Sequence, residues 1–101
     1  MSLKKQYFKT RPVCKVTFSL PKKAVGSASA VHLVGDFNNW SETNTPMKRL
    51  KNGAFTATFT LERNREYQFR YFVDGLRWEN DWKADKYVRN VYGGENSIVV
   101  V

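Results

Sequence analysis

The chain alternates apolar and polar residues along much of its length, with the period of two that marks a strand buried on one face. This pattern predicts strands at residues 14–20, 55–61 and 67–73. Residues 30–35, which are apolar on both faces except for His32, and the β-branched run at residues 97–101 predict two more. Turn-forming residues separate several of them, and residues 25–29 are predicted to form a flexible loop. No segment shows a convincing helical period. Short strands divided by turns predict an all-β protein, built as a β-sandwich.

The length of the chain limits it to one domain with one hydrophobic core. It has 101 residues and no internal repeat or long apolar run, so we expect neither a second domain nor a membrane-spanning helix. Cys14 is the only cysteine and His32 the only histidine. The chain therefore cannot form an internal disulfide, and it cannot bind a metal through a pair of cysteines or a pair of histidines. No glycine-rich phosphate loop is present. We therefore expect no metal and no cofactor.

The positive charge of the chain is concentrated at its start. The net charge is +8, and residues 1–23 hold seven basic residues and no acidic one. The remainder is nearly neutral, so its surface does not have the composition of a nucleic-acid-binding face. Residues 1–12 are predicted to form a basic, loosely docked arm, followed by a sandwich domain at residues 13–101. The start lacks the apolar segment of a secretory signal, and a cytoplasmic location is expected.

The acidic residues do not predict a catalytic site. Asp36 and Asp74 stand beside glycines in turn contexts, where aspartate is common for backbone reasons. Glycoside hydrolysis needs two carboxyl groups in one cleft, and a sandwich of this size offers little cleft to raise the pKa of either. His32 lies within a predicted strand, with no nucleophile motif nearby. We expect the protein not to be an enzyme.

Several large aromatic residues lie outside the predicted strands. Trp40, Trp78, Trp82 and Tyr92 all have asparagine, aspartate or arginine close by in the sequence. A sugar ring has an apolar C–H face and a rim of hydroxyl groups, so an aromatic ring matches the face and amide or guanidinium groups match the rim. The alternative is that each tryptophan caps an open end of the sandwich. For any single tryptophan, capping and ligand binding are equally compatible with the sequence.

Two motifs carry a resemblance to a known family. Residues 35–40 read GDFNNW and residues 67–75 read YQFRYFVDG, with a phenylalanine-rich strand between them and a Gly-x-x-Asn ending after them. Over about residues 13–101 the chain resembles the glycogen-binding carbohydrate-binding modules of family 48. These include the "early set" domains of isoamylases and branching enzymes and the glycogen-binding domain of the AMP-activated protein kinase β subunit.

The resemblance implies an immunoglobulin-like sandwich that binds α-1,4-linked glucan, such as glycogen, starch or maltooligosaccharides, without cleaving it. It also implies the site residues. Trp40 and Trp78 would stack on sugar rings, Arg70 and Asn96 would contact hydroxyl groups, and Tyr92 would contact the glucan from a loop. Arg70 and Tyr92 stand where the kinase domain has a lysine and a leucine. Trp82 falls outside this set and is expected to act mainly in packing.

Two other functions are compatible with the sequence. The aromatic face could belong to a scaffolding domain that packs against a glycogen-metabolising enzyme or against a second copy of the chain. A basic β domain with exposed aromatic residues could also bind single-stranded nucleic acid. We rank the last function lowest, because the excess charge lies on the predicted arm and no basic strand carries a run of aromatic residues.

Overall fold

The computed structural model describes residues 3–101 as a sandwich of two antiparallel β-sheets. The first sheet has the strand order β1-β2-β5-β4, and the second has the order β3-β6-β9-β8, with β7 also paired to β6. This architecture confirms the predicted all-β, immunoglobulin-like sandwich. The strands are β1 (Leu3–Tyr7), β2 (Val13–Leu20), β3 (Val31–Gly35), β4 (Lys48–Arg49), β5 (Phe55–Glu62), β6 (Glu66–Val73), β7 (Arg77–Glu79), β8 (Lys86–Arg89) and β9 (Glu95–Val100).

The core lies between the two sheets and is built from the alternating residues that predicted the strands. Phe18 on β2 is fully buried at its centre, with its ring centroid 5.0 Å from that of Phe69 on β6. Successive side chains of a strand point to opposite faces, so the residues between the buried ones lie on the outer surfaces. One inner strand of each sheet shows this pattern most clearly, with buried residues Cys14, Val16, Phe18 and Leu20 on β2, and Tyr67, Phe69, Tyr71 and Val73 on β6.

The sequence did not predict the one-turn helix α1 (Lys22–Val25) or the strands β1, β4, β7 and β8. Two of these strands, β4 and β7, have only two and three residues, which is too short for an alternating pattern to be recognised. The flexible loop predicted for residues 25–29 is also corrected, because Val25 and Ala28 are buried against the core. Within residues 3–101 no helix has the length and hydropathy needed to cross a membrane.

Part of the predicted basic arm belongs to the first sheet. Leu3–Tyr7 forms β1, which pairs antiparallel with β2, and Leu3 is buried. Lys5 Nζ lies 2.7 Å from Asp85 Oδ2, an ion pair that joins the edge of the first sheet to the second. The sandwich therefore includes residues well before the predicted boundary at residue 13. The sequence pattern missed this strand because Leu3 is its only clearly apolar inward residue; Met1 and Ser2 lie outside the described residues.

Asp81 is a buried carboxylate that fixes the connection between β7 and β8. The Tyr71 hydroxyl donates to Asp81 Oδ2 over 2.7 Å, and the backbone N–H of Lys83 donates to Oδ1 over 2.8 Å. The backbone N–H of Asp81 donates to Ser97 Oγ over 2.9 Å. Burial raises the pKa of Tyr71, and the nearby carboxylate raises it further. This carboxylate therefore has hydrogen-bond partners inside the fold, as a buried charge requires.

Candidate functional site

The outer face of the second sheet carries a groove with a volume of about 510 Å³. All five residues predicted for the site line this groove, although they come from separate parts of the chain. Trp78 lies on β7 and not in a loop, which corrects the sequence prediction. The lining residues are Trp40, Gln68, Arg70, Trp78, Arg89, Asn90, Val91, Tyr92 and Asn96.

Trp40 is held in the groove by a tight turn that follows β3. The indole Nε1 donates to Asp36 Oδ1 over 2.9 Å, and Asp36 Oδ2 accepts the backbone N–H of Gln68 over 2.7 Å. Asn39 and Trp40 both have φ of 57°, a left-handed conformation that reverses the chain. A Cβ at Gly35 would lie 2.6 Å from the Gln68 carbonyl oxygen, so only glycine allows the turn to sit this close to β6.

The inner side of the same turn is anchored in the core. Phe37 packs between Phe18 and Phe59, with ring centroids 5.3 Å and 4.7 Å away. Asn38 Oδ1 accepts the backbone N–H of Gly35 over 3.0 Å and thereby closes the turn. The GDFNNW motif thus divides between residues that fix the turn and one, Trp40, that the turn presents in the groove. The turn has its own anchors, which suits a residue that must stay in place before a ligand arrives.

Trp78 and Arg70 form another part of the groove. Trp78 stacks on Phe72, its cross-strand partner, with ring centroids 4.3 Å apart and an interplanar angle of 28°. Arg70 Cζ lies 5.5 Å from the centroid of the Trp78 ring. Its Nε is buried and has no hydrogen-bond partner among residues 3–101. Burial lowers the pKa of Arg70, but an arginine remains charged at neutral pH, so the guanidinium offers a donor to an incoming oxygen.

A chain of side-chain amides connects the floor of the groove to its rim. Asn96 Nδ2 donates to Gln68 Oε1 over 3.0 Å, and Asn90 Nδ2 donates to Asn96 Oδ1 over 3.2 Å. The other amide atom of Asn90, Oδ1, accepts the backbone N–H groups of Tyr92 (2.9 Å) and Gly94 (3.1 Å). Asn90 therefore shapes the β8–β9 loop. At the tip of that loop the Tyr92 side chain is 92% exposed.

The groove combines aromatic rings with neutral or cationic hydrogen-bonding groups. Its described lining includes three aromatic side chains, three amides and two arginines, but no carboxylate. Acid–base glycoside hydrolysis requires a pair of carboxyl groups, which this described lining does not supply. Residues 3–101 also contain no cluster of histidine, cysteine, aspartate and glutamate side chains that could hold a metal ion.

A comparison with protein-family models matches residues 25–88 to carbohydrate-binding module 48, the isoamylase N-terminal domain. The chain belongs to this family. Three of the site residues, Trp40, Arg70 and Trp78, lie inside the matched range, while Tyr92 and Asn96 lie beyond its end. A search of curated proteins found no significant match. The resemblance indicated by the two sequence motifs is therefore confirmed, and with it a role as a carbohydrate-binding module.

Four residues that line the groove of this family 48 module were not predicted: Gln68, Arg89, Asn90 and Val91. Gln68 could have been found, because it lies two residues before Arg70 on the same strand and therefore on the same face. Asn90 could not, because its role depends on hydrogen bonds within a loop whose flanking strand β8 lacks an apolar pattern.

We expect Asn90→Asp and Asn90→Ala to separate the two roles of this amide. Aspartate keeps oxygen acceptors for the N–H groups of Tyr92 and Gly94, but it places an anionic oxygen against Asn96 Oδ1. Alanine loses both sets of hydrogen bonds, each worth about 1 kcal/mol. Amide hydrogen exchange followed by NMR should therefore show the Tyr92 and Gly94 amides still protected in the aspartate variant and faster by about fivefold in the alanine variant. Equal exchange rates in the two variants would contradict this role of Oδ1.

Proposed function

We propose that this family 48 module binds α-1,4-linked glucan in the groove and does not cleave it. The observation that carries the proposal is the convergence of Trp40, Arg70, Trp78, Tyr92 and Asn96, which come from distant parts of the sequence, on one groove. Glycogen, starch and maltooligosaccharides share the ligand chemistry that these side chains match.

Each group has a distinct role in the proposed complex. The indoles of Trp40 and Trp78 pack against the apolar faces of successive glucose rings, and Tyr92 closes over the chain from the exposed loop. Arg70 lines the groove, and its guanidinium donates an N–H group to a sugar hydroxyl. Gln68 and Asn96 are held by each other, so they meet the ligand in a fixed arrangement that lowers the entropy cost of binding.

The proposal of a non-catalytic role is supported by the absence of a carboxylate from the described lining of the groove. Asp36, which lies in the same turn as Trp40, already accepts hydrogen bonds from Trp40 and from the backbone of Gln68. Both of its oxygens are thus engaged in holding the turn. Incubation with soluble starch should release no reducing ends.

The decisive test is whether glucan binding is independent of salt. Because a neutral ligand releases no counterions, fluorescence titrations with maltoheptaose at low and high salt should give the same affinity. Dextran sulfate serves as the control ligand, since any attraction of this anionic polymer to the +8 chain must weaken as salt rises. No response to maltoheptaose or to glycogen at either salt concentration would overturn the proposal and favour a scaffolding role.

A further inference from the structure

Trp82 lies outside the groove described above and is unexpectedly accessible. The sequence suggested that it acts mainly in packing, but its side chain is 54% exposed. Exposure of a tryptophan is costly unless the residue is used, because the indole is among the largest apolar surfaces a protein can bury. The surroundings of Trp82 therefore indicate whether its exposure results from a loose segment or from a fixed presentation to solvent.

The backbone on both sides of Trp82 is fixed. Only 1% of the preceding residue, Asp81, is accessible to solvent. Its carboxylate accepts hydrogen bonds from Tyr71 and from the backbone of Lys83. The Asp81 carbonyl oxygen also accepts the Tyr87 hydroxyl over 2.6 Å. Trp82 thus extends from a rigid turn, so little further entropy is lost when a ligand stacks on it.

The Trp82 side chain borders a second groove, with a volume of about 430 Å³. This volume is within the range of small-ligand sites, roughly 300–1,000 Å³. The groove lies where the end of β2 and the β4–β5 turn meet the β7–β8 connection. Its described lining shares no residue with the first groove. The residues that line it are Ser19, Pro21, Leu50, Asn52, Ala54, Trp82 and Lys83.

The chemistry of this second groove matches that of the first. It offers an exposed indole, two neutral polar side chains and one cation, and its described lining has no carboxylate. Asn52 Oδ1 accepts the backbone N–H of Ala54 over 2.9 Å, which orients the amide and leaves its NH₂ group to donate. Pro21 and Leu50 add apolar surface beside the ring. An apolar face with neutral hydrogen-bonding groups at its edge suits a sugar ring, for the same reasons as in the first groove.

We propose that the Trp82 groove is a second α-glucan site, so that one module holds two glucan segments. This proposal rests on the proposed function, because it assigns the same ligand class to a second surface. Two sites on one rigid domain raise the apparent affinity for a branched polysaccharide, since binding of the second segment becomes intramolecular. The second site matters little for a short oligosaccharide at low concentration, whereas it matters strongly for glycogen or starch.

The test uses three variants of the full chain: Trp82→Ala, Trp82→Phe and the double variant Trp40→Ala/Trp78→Ala. Each is titrated with maltoheptaose by calorimetry and by backbone amide NMR, and each is sedimented with glycogen after thermal melts have established that it is folded. We expect the parent to show two binding events. Trp82→Ala should remove the weaker event, keep the stronger one and lower glycogen binding by about tenfold, by analogy with base–aromatic stacking. Trp82→Phe should retain most of both events.

The outcomes separate this proposal from the previous one. If the parent shows a single event that Trp82→Ala leaves unchanged, the first groove binds glucan and the second does not. If the Trp40→Ala/Trp78→Ala variant binds as well as the parent and Trp82→Ala abolishes binding, glucan binds at the Trp82 groove and not at the first groove. If Trp82→Ala removes a concentration-dependent dimer without changing glucan binding, the surface contacts a second copy and the proposal is overturned. No glucan binding by the parent overturns both.

Discussion

Replacing either Trp40 or Trp78 with alanine is expected to lower the affinity for maltoheptaose by roughly tenfold to a hundredfold. Stacking of a ring on an aromatic side chain is worth about 1–3 kcal/mol in the related case of nucleic-acid bases, and a similar loss is expected for a sugar. Calorimetric titration measures the affinity, and thermal melts establish that each variant remains folded. Leu76→Ala is the matched control, since Leu76 is 85% exposed next to β7 but does not line the groove.

The structure distinguishes the two tryptophans by their effect on stability. Trp40 is held by one hydrogen bond to Asp36 at the edge of the fold, so its removal should leave the melting temperature nearly unchanged. Trp78 is stacked on Phe72 and lies close to the Arg70 guanidinium, so its removal uncovers an apolar ring and leaves a cation without its aromatic neighbour. We therefore expect Trp78→Ala to lower the melting temperature more than Trp40→Ala, for a similar loss of affinity.

Two results would contradict the assignment of these residues. If both alanine variants unfold, the tryptophans are structural caps of the sandwich, which is the alternative that the sequence left open. If both variants fold and bind glucan as tightly as the parent, the ligand lies on another surface. Partial loss in one variant only would assign the stacking role to that tryptophan alone.

The alternation of apolar residues was sufficient to predict β2, β5 and β6, because each of them buries one face, while continuous apolar runs predicted β3 and β9. The segment that contains β4 shows why other parts could not be predicted. Thr45 and Met47 pair with β3 through backbone hydrogen bonds, after which Lys48 and Arg49 pair with β5 in the other sheet. A segment that crosses between two sheets has no constant inward face, so its sequence carries no period of two.

The sequence predicted the residues of the candidate site better than the hydrogen bonds that hold them in place. The five predicted residues follow from two motifs and an ending that match a family, and the structure brings them to one groove. The hydrogen bonds that hold them could not be predicted, because Gln68, Asn90 and Asn96 meet only after β6, β8 and β9 have paired. Nor could Trp82, whose exposure depends on the buried partners of Asp81.

Phe18→Ala is expected to lower the free energy of unfolding by about 3–5 kcal/mol, because it leaves a large cavity at the centre of the core. Phe18 is fully buried and contacts both Phe69 of the second sheet and Phe37 of the Trp40 turn. Phe59→Ala is the matched control. Phe59 also packs on Phe37, with ring centroids 4.7 Å apart, but it is only partly buried, so its truncation should cost clearly less.

Urea denaturation of the two variants and the parent measures these differences in the free energy of unfolding. The larger loss should also extend to the site, because Phe37 rests on Phe18 and anchors the turn that presents Trp40. At a temperature where Phe18→Ala is still folded, we therefore expect weaker binding of maltoheptaose than in Phe59→Ala. An equal or greater loss of stability in Phe59→Ala would show that the core is centred nearer β5 than β2. Equal binding of maltoheptaose by the two folded variants would show that the Trp40 turn does not depend more on the packing of Phe37 against Phe18 than on its packing against Phe59.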